Sequence, residues 1–179
     1  MSNKTVIMDA EAVKRTMARI THEVIERNRG VEDVCVIGVK RKGVGLAKML
    51  CNNIFKFENK TVPFGELDIT PHRDDISDNE KKVHSSQSNI PCDLTGKTVI
   101  LVDDVLFTGR TARAGLEAVF RYGRPKTVQL FVLIDRGHRE LPFRPDYVGK
   151  NLPTKKSEKV YVLNEEIDGE LGVYISDNG

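Results

Sequence analysis

The chain predicts an α/β fold, a parallel-rich, doubly wound sheet in one domain spanning 1–179, and three observations carry that prediction. Apolar runs of strand length alternate with amphipathic segments of helical spacing along most of the 179 residues. The runs at 33–39, 99–102 and 127–134 read as buried strands. No internal repeat and no interdomain linker breaks the alternation.

The elements follow in order. A helix is expected over 9–30, with Asp9 as its N-cap and Gly30 as its stop. Within it Val13, Met17, Ile20 and Val24 form an apolar stripe at helical spacing. Residues 33–39 form a strand that ends in the turn Lys40-Arg41-Lys42-Gly43. A helix over 44–57 and a partly alternating strand over 61–70 come next. Residues 71–92 have almost no apolar content; roughly 20 residues without periodicity inside a compact domain predict a mobile functional loop rather than a boundary. The strand at 99–102 then runs through Asp103 and Asp104 into Thr108-Gly109-Arg110-Thr111 and an amphipathic helix over 112–122. After the strand at 127–134, residues 146–148, 159–163 and 171–175 read as short late strands.

Composition narrows the function classes. Charged residues are 30% and hydrophobic ones 39%, as in an ordinary soluble protein. No apolar run approaches the roughly 20 residues that span a bilayer, and Met1-Ser2-Asn3-Lys4 begins no signal-peptide core. Cys35, Cys51 and Cys92 are odd in number and share no CxxC spacing, which favours reduced thiols in the cytoplasm over a disulfide scaffold or zinc site. The net charge of +2 hides an asymmetry: residues 163–179 carry −5, so residues 1–162 carry +7. That excess permits a polyanionic partner without requiring one.

The segment 99–111 holds the clearest chemistry. In open α/β sheets ligands sit beyond the carboxyl ends of the strands. Thr108, Gly109, Arg110 and Thr111 open a helix whose free N–H groups favour an anion, and Gly109 permits close approach or positive φ. Asp103 and Asp104 accept hydrogen bonds from sugar hydroxyls and can hold Mg²⁺ directly or through water. The combination reads as a phosphorylated-sugar site, with a solvated Asp-Asp turn before a capped helix as the open alternative.

Here Val102-Asp103-Asp104-Val105-Leu106-Phe107-Thr108-Gly109-Arg110-Thr111 resembles the phosphoribosyl-pyrophosphate (PRPP) motif of type I phosphoribosyltransferases. Arg136-Gly137-His138-Arg139-Glu140-Leu141-Pro142, Asp146-Tyr147-Val148-Gly149-Lys150-Asn151-Leu152-Pro153-Thr154 and Lys156-Ser157-Glu158-Lys159-Val160 resemble the PyrR family. Those proteins are bacterial pyrimidine-operon attenuators that also carry uracil phosphoribosyltransferase activity. The likeness runs from Val6 to about Tyr174.

The resemblance implies a type I phosphoribosyltransferase fold and assigns roles. Asp103 and Asp104 would meet the ribose hydroxyls and the Mg²⁺ that accompanies PRPP, and Thr108 to Thr111 would wrap the 5-phosphate. Lys40, Arg41, Lys42 and Gly43 would meet the pyrophosphate, where the family usually has Lys-Thr-Arg-Gly. Arg73, carried by the loop, would close over the reaction; the family often has a tyrosine before it, and this chain has His72. Asp135, Arg136 and Gly137 would line the uracil pocket.

The resemblance further implies a basic face, assembled across a homodimer or larger homo-oligomer, that grips a stem-loop of pyrimidine-operon leader mRNA in response to UMP. Residues 136–159 carry a net +4, and Arg15, Arg19 and His22 share the helix face opposite the apolar stripe. Arg15, Arg19, His22, His138, Arg139, Arg144, Lys150, Lys155 and Lys156 are the candidate RNA contacts, by phosphate pairing or stacking. Two other readings stay open: a purine phosphoribosyltransferase without an RNA role, and a catalytically weak PRPP or UMP sensor acting only as an RNA-binding protein.

Overall fold

A computed structural model of the chain describes residues 4–177, so the reading of Met1-Ser2-Asn3 lies outside the described residues. In chain order the elements are β1 (Lys4–Met8), α1 (Ala10–Arg27), β2 (Val34–Val39), α2 (Lys42–Glu58), β3 (Phe64–Leu67) and α3 (Asp78–His84). They continue with β4 (Thr98–Leu106), α4 (Arg110–Val119), β5 (Thr127–Asp135), β6 (Tyr147–Asn151), β7 (Glu158–Leu163), α5 (Glu165–Asp168) and β8 (Gly172–Asp177).

Five strands make an all-parallel sheet in the order β3-β2-β4-β5-β6. One face is covered by α1 and α2, whose Val13, Met17, Ile20, Leu46, Leu50 and Ile54 join Val36, Ile100, Phe131 and Leu133 in one apolar layer. On the other face Ala114, Ala118 and Val119 of α4 join Ile37, Val99, Leu101 and Val132. The sheet is therefore doubly wound, and each wholly buried Leu, Ile or Phe contributes roughly 1.5–3 kcal/mol. Asp9 caps α1 by accepting from the Ala12 N–H at 2.7 Å, and the sequence-read stripe Val13, Met17, Ile20 and Val24 is fully buried.

Four features depart from the sequence expectation or add to it. The late strands do not form one set: β6 closes the main sheet, whereas β7 and β8 build an antiparallel sheet with β1. That first strand escaped the sequence reading because it is short and exposed, and its partner β8 lies at the far end of the chain. The strand expected over 61–70 stops at Leu67, because the Asp68 carboxylate turns the chain. It accepts from the Thr70 N–H at 3.0 Å, the Thr70 hydroxyl at 2.6 Å and the Ser86 N–H at 2.7 Å. Residues 71–92 are not all loop: α3 forms there, with Ser77 and Glu80 making a reciprocal capping box. Its polar faces carry no apolar period. Finally, α2 starts at Lys42 rather than Val44, so half of the basic turn lies inside the helix.

Candidate active site

The carboxyl ends of β2 and β4 lie side by side, and the candidate residues gather there. β4 carries Asp103-Asp104 shortly before its end at Leu106, and successive strand residues leave opposite faces. Asp103 is nearly sealed from solvent; it accepts from the Asp104 N–H at 2.9 Å, as Asp104 accepts from the Val105 N–H at 2.9 Å. Burial, then the adjacent Asp104, pushes the Asp103 carboxyl well above the usual carboxylate range. Burial raises Asp104 as well, opposed by backbone N–H groups and by the nearby Lys42 cation. Arg73 is the cation whose field reaches Asp103.

The phosphate-type turn follows directly. Gly109 sits at φ +91°, a conformation open to glycine at little cost, and from it α4 begins. The Thr108 hydroxyl accepts from the Arg110 N–H at 3.3 Å. A cavity of about 340 Å³ opens over this turn, lined among others by Arg73, Asp103, Thr108, Arg110 and Thr111. The 71–92 segment leans on the same turn. Arg110 pairs with Asp74 at 2.9 Å, Arg73 forks onto Asp75 at 2.7 and 2.5 Å, and Arg113 donates to the His72 carbonyl at 2.6 Å. His72 itself faces Glu117 at 3.2 Å.

The basic turn reaches the site through Gly43. A Cβ there would lie 2.4 Å from the Val102 carbonyl oxygen, so only glycine lets the start of α2 pack on β4 beside the acid pair. The Lys40–Arg41 peptide is cis. Lys40 donates to the Gln87 carbonyl at 2.5 Å and stands 3.8 Å from Glu66. Lys42 is paired with Asp168 of α5, and Arg41 is exposed.

The segment expected to line a base pocket folds back over the phosphate turn. Thr108 offers its carbonyl to the Glu140 and Leu141 N–H groups at 2.8 and 3.1 Å. Arg136 is buried with its guanidinium 4.0 Å over the Phe107 ring, donating to the Thr154 hydroxyl and the Lys155 carbonyl at 3.1 Å each. Its fork is therefore engaged inside the protein. Asp135 accepts from the Gly137 N–H at 3.1 Å and pairs with Arg139. His138, at φ +68°, contacts the Thr154 carbonyl through Nε2 at 2.6 Å. Asp135, Gly137, His138, Arg139, Asn151 and Pro153 surround a second cavity of about 390 Å³.

The remaining basic candidates separate into groups. Arg15, Arg19 and Lys150 line a groove between α1 and the edge strand β6. Arg19 also donates to the Val148 and Gly149 carbonyls at 3.2 and 2.7 Å, capping the sheet edge. His22 stacks on Phe57, ring centres 4.3 Å apart. Arg144, Lys155 and Lys156 are exposed. Sequence reasoning missed Asp168, Asp74 and Thr154, which tether the cations above. Isolated polar residues in acidic or loop-like stretches carry no periodic signal.

Among the described residues no group of three or more His, Cys, Asp or Glu side chains could hold a metal by itself. Two carboxylates beside an anion turn suit Mg²⁺, which keeps waters and takes its other ligands from substrate phosphates. No helix of the described residues is long and apolar enough to cross a membrane.

Comparison with known proteins shows the family and the fold. The phosphoribosyl transferase domain model matches residues 5–165. A relative from Brevibacillus brevis, named Bifunctional protein PyrR, is 55% identical over 94% of both chains. Another of the same name from Bacillus subtilis is 50% identical over 99% of both. Among solved structures, a Trypanosoma cruzi hypoxanthine phosphoribosyltransferase superposes with a TM-score of 0.72 at 18% identity, covering 97% of this chain and 95% of that one. A Bacillus anthracis hypoxanthine-guanine phosphoribosyltransferase gives 0.70 at 19% identity over 96% of both. These last two share the fold.

Proposed function

Because the chain belongs to the phosphoribosyl transferase family, and within it to the bifunctional PyrR proteins, we propose that it joins uracil to PRPP, giving UMP and pyrophosphate, and regulates pyrimidine-operon transcription by binding leader mRNA. It works in the cytoplasm, where both substrates and transcript are met, as a homodimer or larger homo-oligomer. The observation that carries the reading is the convergence of three parts on adjacent strand ends: the Asp103-Asp104 pair, the Thr108–Thr111 turn and the basic turn seated by Gly43.

In this reading the turn's N–H groups and Thr108 and Thr111 hold the 5-phosphate. Asp103 and Asp104 accept from the ribose hydroxyls, which fixes the ring while C1 loses pyrophosphate and gains the base nitrogen. Lys40, Arg41 and Lys42 receive the departing charge, and Arg73 leaves Asp75 to join them. Mg²⁺ held by these carboxylates and the substrate oxygens would lower the cost of that charge. Uracil is read by the backbone of 135–138, since the Arg136 side chain is engaged elsewhere. The exposed cations Arg15, Lys150, Lys155 and Lys156, together with Arg139, supply the RNA face.

The test is uracil-dependent release of pyrophosphate from PRPP with Mg²⁺, run beside hypoxanthine and adenine. Turnover with the purines and none with uracil overturns the proposal. For the RNA role, a leader stem-loop is shifted on a gel with and without UMP, and binding that ignores UMP removes the regulatory half. Arg139→Ala is expected to weaken that shift more than it slows uracil transfer; equal losses would argue against separate surfaces. A second reading, a UMP or PRPP sensor with weak turnover, is favoured by one observation: Lys42 of the basic turn is already paired with Asp168.

A further inference from the structure

Two thiols face each other where the 71–92 segment rejoins the sheet. Cys35 lies within β2, wholly buried on the α4 side, and half-buried Cys92 precedes β4. Their sulfurs are 3.9 Å apart. The third thiol, Cys51, sits on α2 and packs into the opposite apolar layer.

We propose that Cys35 and Cys92 form a reversible oxidation site, which hydrogen peroxide converts into an intramolecular disulfide that pins the return leg of 71–92 to β2. Cys92 reacts first, because it alone of the two is open to a small oxidant. Its sulfur attacks a peroxide oxygen, the O–O bond breaks, and a sulfenic acid and one water result. The Cys35 sulfur then attacks the Cys92 sulfur; the S–S bond forms, the S–O bond breaks, and the Cys35 proton leaves in a second water. Two thiols are oxidised and one peroxide is reduced to two waters.

Burial pushes the Cys35 thiol up to about 12, and the adjacent Cys92 adds to the rise. Cys35 thus stays protonated until its proton leaves as the S–S bond forms, which makes its attack the slower of the two steps. Closing from 3.9 Å to a bond of about 2.05 Å asks for side-chain rotation at Cys92, which lies in irregular backbone free of strand pairing. The two positions are 57 residues apart, and the segment between them includes β3 and α3. A bond here holds the base of the segment that carries Arg73 while leaving its tip unbound.

The experiment treats the native full-length chain with hydrogen peroxide, blocks free thiols by alkylation, and reads intact mass, mapped peptides and thermal unfolding. The expected product has lost about 2 Da, links Cys35 to Cys92, alkylates only at Cys51, and unfolds about 5 °C higher. Dithiothreitol reverses all four changes. Cys51→Ser keeps the reaction; Cys92→Ser abolishes it and leaves unoxidised uracil transfer unchanged, with Cys35→Val as a second disabling variant. Oxygen added to Cys92 without a link, chains joined in pairs, a link through Cys51, or a lowered Tm would each overturn the proposal.

Discussion

Asp103 and Asp104 carry an electrostatic penalty, because both sit where water is scarce and Asp103 also feels the charge of Asp104. Their raised folded-state values fix the sign of the pH dependence: ionisation opposes folding. Stability from this pair is full below the unfolded value of about 3.9 and is lost as pH rises through the higher folded values. Asp103→Asn is therefore expected to flatten the decline of Tm as pH rises above about 4 and to raise Tm of the free protein above the usual carboxylate range. The same change should slow uracil transfer by about 100-fold or more. Melting curves across pH beside steady-state rates check both, and an unchanged slope would remove the assigned cause. The acid pair and the Thr-Gly-Arg-Thr turn were legible in the sequence because their chemistry is local. The direction of Arg136 was not: a count of cations does not say that this one lies over Phe107 and is tied to Thr154.

At the scale of elements, the start of α2 joins the basic turn to the end of β4. Gly43→Ala would place a methyl against the Val102 carbonyl, displacing the helix at a cost of about 1–3 kcal/mol. The expected outcome is a Tm lower by about 5 °C and a higher KM for PRPP, read by melting and kinetics. A variant as stable as the parent would show that the contact is loose. Lys42 is paired with Asp168 of α5, and in the proposed function it is also a pyrophosphate contact. Asp168→Asn should lower the KM for PRPP about two- to fivefold with little change in kcat, because a partly buried ion pair of under about 1 kcal/mol no longer competes. A raised KM would mean instead that Asp168 orients the lysine. The main strands and α1, α2 and α4 were legible because their apolar stripes face a thick core. α3 was not read, although Ser77-Asp78-Asn79-Glu80 spells its capping box, since the segment lacks an apolar stripe.

Across the whole molecule, the acidic tail and the basic body divide along the fold. Asp168 and Glu166 of α5 pair with Lys42 and Lys48 of α2, whereas Arg144, Lys150, Lys155 and Lys156 stay exposed. The charge excess was countable in the sequence, but which cations are neutralised depends on long-range pairing. If UMP and leader RNA bind the same chain cooperatively, linkage makes the coupling reciprocal. The factor by which UMP tightens RNA binding should equal the factor by which RNA tightens UMP binding. Titrating each ligand in the absence and saturating presence of the other measures this, and unequal factors would indicate separate populations. One feature of topology bears on how the protein is made. β1 pairs only with β8, so Lys4 must wait for Ser176 to be synthesised. At bacterial elongation rates of up to about 20 residues per second, that is a delay on the order of ten seconds. The five parallel strands span 34–151 and pair without β1 or β8, so their sheet needs no residue beyond Asn151. The main sheet is therefore independent of the pairing that joins the two ends of the described chain, whereas the tie on Lys42 depends on Asp168, which lies beyond every strand of that sheet.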